Sequence, residues 1–84
     1  MYAEQCHQLA VSVFISWGIA NVLEALGLLQ SAISELTRAE QWCEDLRRLD
    51  LRVRTSVLKS QILIKTGDID TAMKIIENIP QYND

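Results

Sequence analysis

Glycine, proline, cysteine and aromatic residues are all scarce in this chain of 84 residues. It has three glycines, one proline, two cysteines, two tryptophans, two tyrosines and one phenylalanine. A β-protein of this size needs many tight turns, which glycine and proline supply, so their scarcity favours an all-α fold. Small disulfide-stabilised domains usually carry four or more cysteines, so we expect reduced thiols at Cys6 and Cys43 and a cytoplasmic protein.

Positive charge is absent from the first 37 residues, which contain three glutamates and no lysine or arginine. Residues 38–65 are locally basic, with seven lysines and arginines against four acidic residues. The net charge of −3 argues against a nucleic-acid partner, and no aromatic stacking pattern accompanies the basic residues. Four arginines are candidates for binding an acidic protein partner: Arg47, Arg48, Arg52 and Arg54. The alternative for these arginines is an ordinary solvated surface.

Signatures of catalysis and of metal binding are also missing from the sequence. It has no glycine-rich phosphate loop and no recognisable arrangement of serine, histidine and acid. His7, the single histidine, and the two cysteines make only three possible zinc ligands, without a CxxC pair. We therefore expect neither an enzyme nor a metal or cofactor site, and we expect Cys43 to be a small buried residue.

Hydrophobic residues make up 49% of the chain, and their spacing predicts four helices. The predicted helices cover about 3–26, 28–48, 51–65 and 69–79. Asp50 is the expected cap of the third helix, and Pro80 ends the fourth. Five residues of the fourth helix are expected to face the core: Ile69, Ala72, Met73, Ile76 and Ile79.

An internal repeat is found when Gly27 is aligned with Gly67, because both glycines stand where a helix ends and a turn begins. The other matched pairs are Ala20 with Ser60, Leu23 with Leu63, Ala32 with Ala72, Leu36 with Ile76, and Ala39 with Ile79. Small residues let the helices of a hairpin cross closely, and large ones fill the space between hairpins. We therefore expect one domain over residues 1–84, with antiparallel helical hairpins at about 3–48 and 51–79.

This pattern resembles the tetratricopeptide repeat (TPR) family, with 40 residues between the glycines where the usual period is about 34. The resemblance implies a fragment of an α-solenoid that displays a surface for a protein or peptide partner. In that family the first helix of each hairpin lines a concave groove. The corresponding groove candidates in this chain are Phe14, Trp17, Asn21, Glu24, Arg54, Gln61 and Lys65.

The first predicted helix has apolar side chains on all its sides, which is unusual for a surface helix. The three other helices are too few to cover it, so we expect a homo-oligomer or an obligate complex. The self-association candidates are Val13, Ile15, Trp17 and Val22, and Phe14 joins Trp17 as an expected central anchor.

A protein–protein interaction scaffold is the function that we expect from these features. One alternative is a small helical export chaperone or regulator that holds a helix of a client. Another is a membrane-anchored adaptor that uses residues 8–26. The uncharged run at 8–23 is shorter than the ~20 apolar residues of a spanning helix and lacks basic flanks, which argues against the membrane.

Overall fold

Four α-helices form the fold in the computed structural model, which describes the backbone of residues 2–79 and the side chains of residues 7–79. They are α1 at Tyr2–Ala25, α2 at Leu29–Leu46, α3 at Leu49–Thr66 and α4 at Ile69–Glu77, with no strand in the described residues. Each helix packs against the next one in the chain, whereas α1 and α3 touch only at few points. The predicted all-α fold of helical hairpins is therefore confirmed. Pro80 lies outside the described residues.

The three turns between the helices share one backbone geometry. A residue in the left-handed conformation ends each of the first three helices: Gly27 (φ 81°), Arg47 (φ 55°) and Gly67 (φ 88°). The next backbone N–H then donates to a carbonyl five positions back: Leu28 to Leu23, Arg48 to Cys43 and Asp68 to Leu63, at 2.9, 3.2 and 3.0 Å. This is the hydrogen bond of a Schellman motif, which satisfies carbonyls that the helix end leaves open.

The left-handed turn residues recur every 20 positions, which is half the interval between the two glycines. The middle turn was predicted between residues 48 and 51, two residues too late, because Arg47, a residue type that rarely adopts this conformation, occupies its left-handed position. As a result, α2 ends at Leu46 and α3 begins at Leu49, two residues before the predicted start. The prediction that Asp50 caps α3 is wrong. Arg48 is the N-cap residue, and Asp50 lies in the first turn of the helix.

Small side chains lie where the helices cross. Four alanines and three serines are buried there: Ala20, Ala32, Ala39, Ala72, Ser16, Ser56 and Ser60. Ser16 of α1 and Ser56 of α3 are 40 residues apart, the spacing of Gly27 and Gly67, and both are buried. The predicted burial of Ala32 and Ala72 is confirmed, since both are 0% exposed.

One side of α4 differs from the prediction. Ala72 is fully buried, but Ile69, Met73 and Ile76 are 56, 49 and 46% exposed. The prediction that these three side chains face the core is therefore wrong. The physical reason is that only α3 packs against α4, and no further helix follows it in the described residues.

Replacing Arg47 with glycine should stabilise the protein by about 0.5–1 kcal/mol. The left-handed conformation costs a non-glycine residue about 1–2 kcal/mol, and the added flexibility of the unfolded chain offsets part of that gain. Urea denaturation measures the change. Arg38→Gly, in the exposed middle of α2, is the control and should destabilise by about 1 kcal/mol. A loss of stability in both variants would show that Arg47 does not adopt the left-handed conformation.

Replacing Ala32 or Ala72 with leucine should destabilise the fold by about 1–3 kcal/mol, because neither crossing has room for the larger side chain. Ala25→Leu, at an exposed position near the end of α1, is the matched control and should change the stability by less than about 0.5 kcal/mol. Thermal denaturation of the three variants checks the helix crossings. Equal melting temperatures for all three would show that the hairpins are packed differently.

Candidate functional site

An open groove of about 320 Å³ lies between α1 and α3. Six side chains form its walls: Trp17, Asn21 and Glu24 from α1, and Arg54, Leu58 and Gln61 from α3. Ala20, Leu36 and Ile62 also line it and belong to one buried cluster. The groove therefore has an apolar base and walls that combine an aromatic ring, two amides and two charged groups.

Five of the seven groove residues predicted from the sequence line this groove: Trp17, Asn21, Glu24, Arg54 and Gln61. The other two lie beside it. Phe14 packs edge-on against the ring of Trp17, with the ring centroids 5.2 Å apart, and Lys65 forms an ion pair with Glu24. Leu58 and Gly18, which also line the groove, were not among the predicted residues.

Trp17 is held by a hydrogen bond that joins α1 to α3. Its indole N–H donates to the hydroxyl of Thr55 at 2.8 Å, and that hydroxyl donates to the carbonyl of Leu51 at 2.7 Å. Thr55 is fully buried, so its hydroxyl has to find partners within the protein. The sulfur of Cys43 in α2 lies 3.7 Å from the same oxygen. The tryptophan predicted to anchor self-association is thus tied into the interior.

Arg54 is the one positively charged residue in the lining of the groove. It forms none of the ion pairs found among residues 7–79, whereas Glu24 is paired with Lys65. Asn21 and Gln61 are exposed, and their amides make no hydrogen bond within the described side chains. The groove thus presents an arginine and two amides to a ligand.

The four arginines predicted as an acidic-partner patch do not form one surface. Arg47, Arg48 and Arg52 line a separate depression at the turn between α2 and α3, and only Arg54 reaches the groove. Arg48 donates two hydrogen bonds to the carboxylate of Asp50, at 2.8 and 3.0 Å. These bonds lower the pKa of Asp50 to about 2. Arg52 pairs with Glu44 at 3.8 Å, so part of the positive charge is neutralised.

The self-association candidates are divided between the core and the surface. Val13 is 0% exposed and belongs to a buried cluster with Cys43 and Leu51, so it cannot contact a partner in this structure. Ile15 and Val22 are 55 and 60% exposed. They lie on one side of α1 together with Val11, Gly18 and Ile19. These five residues are called the α1 outer face.

The apolar character of α1 extends over most of its length. Its segment His7–Ala25 is the one part of the described chain that is long and apolar enough to cross a membrane by length and composition, with a mean hydropathy of 1.3. Only 17% of that segment is buried in the structure, where α1 packs on α2 along one side. The hydroxyl of Ser16 also donates to the carboxylate of Glu35 in α2, at 2.9 Å.

Cys43 is buried at 1% exposure, as the sequence predicts, and this burial raises the pKa of its thiol. The side chain of Cys6 lies outside the described residues. Among the side chains of residues 7–79, no group of three histidine, cysteine, aspartate or glutamate residues could hold a metal ion.

Comparison of the chain with protein-family models, with curated proteins and with solved structures finds no match. The resemblance to the TPR family therefore depends on the chain's own internal repeat.

Replacing Thr55 with valine should destabilise the protein by about 1 kcal/mol or more, because the part-buried indole N–H of Trp17 loses its acceptor. Thr55→Ser keeps the hydroxyl and serves as the matched control. In a Trp17→Phe background the same Thr55→Val change should cost less, since no indole N–H remains to be satisfied. Urea denaturation of the parent, Thr55→Val, Trp17→Phe and the double variant measures the coupling between the two side chains. Equal costs in both backgrounds would show that the hydrogen bond contributes nothing.

Proposed function

We propose that this chain is a protein–protein interaction module whose α1–α3 groove binds a short peptide segment of its partner. The observation that carries the proposal is the set of side chains that converge on the groove. A positively charged side chain, two amides, an aromatic ring and an aliphatic wall line one open surface supported by a packed core.

The chemistry of the groove fits a peptide better than a small apolar molecule. The amides of Asn21 and Gln61 can each donate and accept hydrogen bonds, so they can pair with the backbone of an extended peptide. Trp17 and Leu58 offer a surface for an apolar side chain, and tryptophan is one of the residues that often dominate binding at protein interfaces. Arg54 is suited to a carboxylate, which it can bind through two parallel hydrogen bonds.

The shape and lining of the groove also support binding over catalysis. The groove is open to solvent, and no histidine, cysteine, serine or lysine lines it. Its acidic side chain, Glu24, is engaged by Lys65. Binding at this place also agrees with the resemblance to the TPR family, in which the first helices of the hairpins line the partner-binding surface.

The test begins with selection of binders from a displayed library of random peptides against the whole chain. The affinities of the selected peptides are then measured by fluorescence anisotropy. We expect these peptides to share an acidic side chain or a terminal carboxylate next to an apolar residue. Their affinity should fall as salt is raised, because an exposed charge pair is screened over about 10 Å at 0.1 M ionic strength.

Arg54→Gln should weaken this binding about tenfold or more, since hydrogen bonds to charged groups contribute about 1.5–3 kcal/mol. Arg38→Gln removes the same charge from an exposed site on α2, outside the groove, and should leave the affinity unchanged. Failure to select any peptide, or selected peptides that bind the Arg54→Gln protein as tightly as the parent, would refute the proposal.

A further inference from the structure

Two apolar surfaces, one on the first helix and one on the last described helix, have no partner among the described residues. One is the α1 outer face, on which Ile15, Ile19 and Val22 are 55, 43 and 60% exposed. The other lies on α4 and is called the α4 outer face: Ile69, Met73 and Ile76. Neither surface includes a charged side chain. The internal repeat indicates what covers them.

The interface between α2 and α3 shows how two hairpins of this chain pack. Leu36 of α2 and Ile62 of α3 are buried in the same core cluster, at 0 and 3% exposure. Leu29 and Ile33 of α2 and Leu58 of α3 pack against that cluster. This interface joins the second helix of one hairpin to the first helix of the next.

The α1 outer face is the equivalent of the α3 side of that interface. A shift of 40 positions, the spacing of Gly27 and Gly67, relates the two surfaces. The equivalent pairs are Val11 with Leu51, Ile15 with Thr55, Gly18 with Leu58, Ile19 with Lys59, and Val22 with Ile62. The positions that α3 uses to pack on α2 are therefore apolar or glycine in α1, where they are left exposed.

The α4 outer face is the equivalent of the α2 side of the interface between α2 and α3. Ile69, Met73 and Ile76 correspond, by the same shift of 40, to residues that α2 packs toward α3. The matching residues of α2 are Leu29, Ile33 and Leu36. The chain thus exposes both halves of the contact that it makes internally between α2 and α3.

We propose that the chain binds a second copy of itself head to tail, with α4 of one copy packing on α1 of the next as α2 packs on α3. Val22 of one copy then meets Ile76 of the other, as Ile62 and Leu36 share a cluster within a copy. This interface is more apolar on the α1 side than the internal one. Lys59, which pairs with Glu40 at 2.8 Å, is replaced there by Ile19.

The repeat favours this arrangement over a symmetric contact between two α1 helices. A symmetric dimer would cover the α1 outer face and leave the α4 outer face in water. The head-to-tail contact covers the α4 outer face and, because α4 ends at Glu77, the part of the α1 outer face around Gly18 and Val22. Because the two surfaces differ, the contact does not close on two copies, and further copies can add at either end.

Two single substitutions test the polarity of the contact. Val22→Glu blocks the α1 outer face, and Ile76→Glu blocks the α4 outer face. Both positions are exposed, so circular dichroism and urea denaturation should show folded proteins. In sedimentation equilibrium, the parent chain should form species larger than a dimer as its concentration rises. Each variant alone should be monomeric at the concentrations where the parent associates. The dissociation constant for self-association of each variant should be at least tenfold higher than that of the parent.

A mixture of the two variants should form a one-to-one heterodimer that grows no further, because each variant keeps the surface that the other needs. Ser34→Glu, at an exposed position of α2 outside both faces, is the control and should associate like the parent. A parent chain that stays monomeric, or that is monomeric and binds phospholipid vesicles, would overturn the proposal. Association abolished by Val22→Glu but unaffected by Ile76→Glu would do the same, in favour of a symmetric α1 contact. None of these results depends on peptide binding in the groove.

Discussion

The hydrogen bond between the indole of Trp17 and the hydroxyl of Thr55 is the constraint on which the groove depends. The helices α1 and α3 touch at few points, so their separation is set by α2 between them and by this bond. A buried hydroxyl and a part-buried indole both need partners, and each satisfies the other. The ion pair between Glu24 and Lys65 joins the same two helices further along. Asn21 and Gln61 are thus presented from helices that are tied on both sides of them.

The regular spacing of the turns explains why the packing surfaces recur. Turn residues at 27, 47 and 67 lie 20 positions apart, and α2 and α3 have 18 residues each, so the two hairpins present equivalent positions to their neighbours. A helix inside the stack uses both sides, and a helix at either end leaves one side in water. Each large apolar side chain moved from water to a packed interface contributes about 1.5–3 kcal/mol. The exposed faces of α1 and α4 therefore represent a free energy that association can recover.

Much of the fold and of the groove could be predicted from the sequence, because the repeat is marked by residues with specific physical roles. Gly27 and Gly67 mark left-handed turns, and Ala32 and Ala72 mark close helix crossings. Five of the residues that the resemblance to the TPR family assigns to a groove line one groove in the structure. The left-handed conformation of Arg47 gave no sequence signal, so the predicted helix boundary lay two residues too late; this conformation comes from hydrogen bonds of the surrounding backbone and not from the residue itself. The hydrogen bond from Trp17 to Thr55 spans 38 positions and depends on how closely α1 approaches α3. Val13 was assigned to a partner surface because an all-round apolar helix does not show which side its neighbour covers.

The proposed head-to-tail contact, taken together with the 40-residue spacing, would also involve further exposed apolar side chains. Phe14, Val57 and Ile64 are 51, 36 and 50% exposed and lie on neither outer face. Val57 and Ile64 of α3 are the equivalents of Trp17 and Glu24 in α1, and Phe14 is the equivalent of Arg54. When α1 of a second copy follows α4, it lies beside α3 as α3 lies beside α1. In the proposed contact a second groove would form at the junction, with Val57 and Ile64 on one wall and Phe14 on the other. This groove is more apolar than the groove within each copy and lacks its arginine. A stack of copies would therefore alternate two kinds of groove, and a partner with apolar and acidic segments at matching spacing could engage both, with the avidity that linked sites provide.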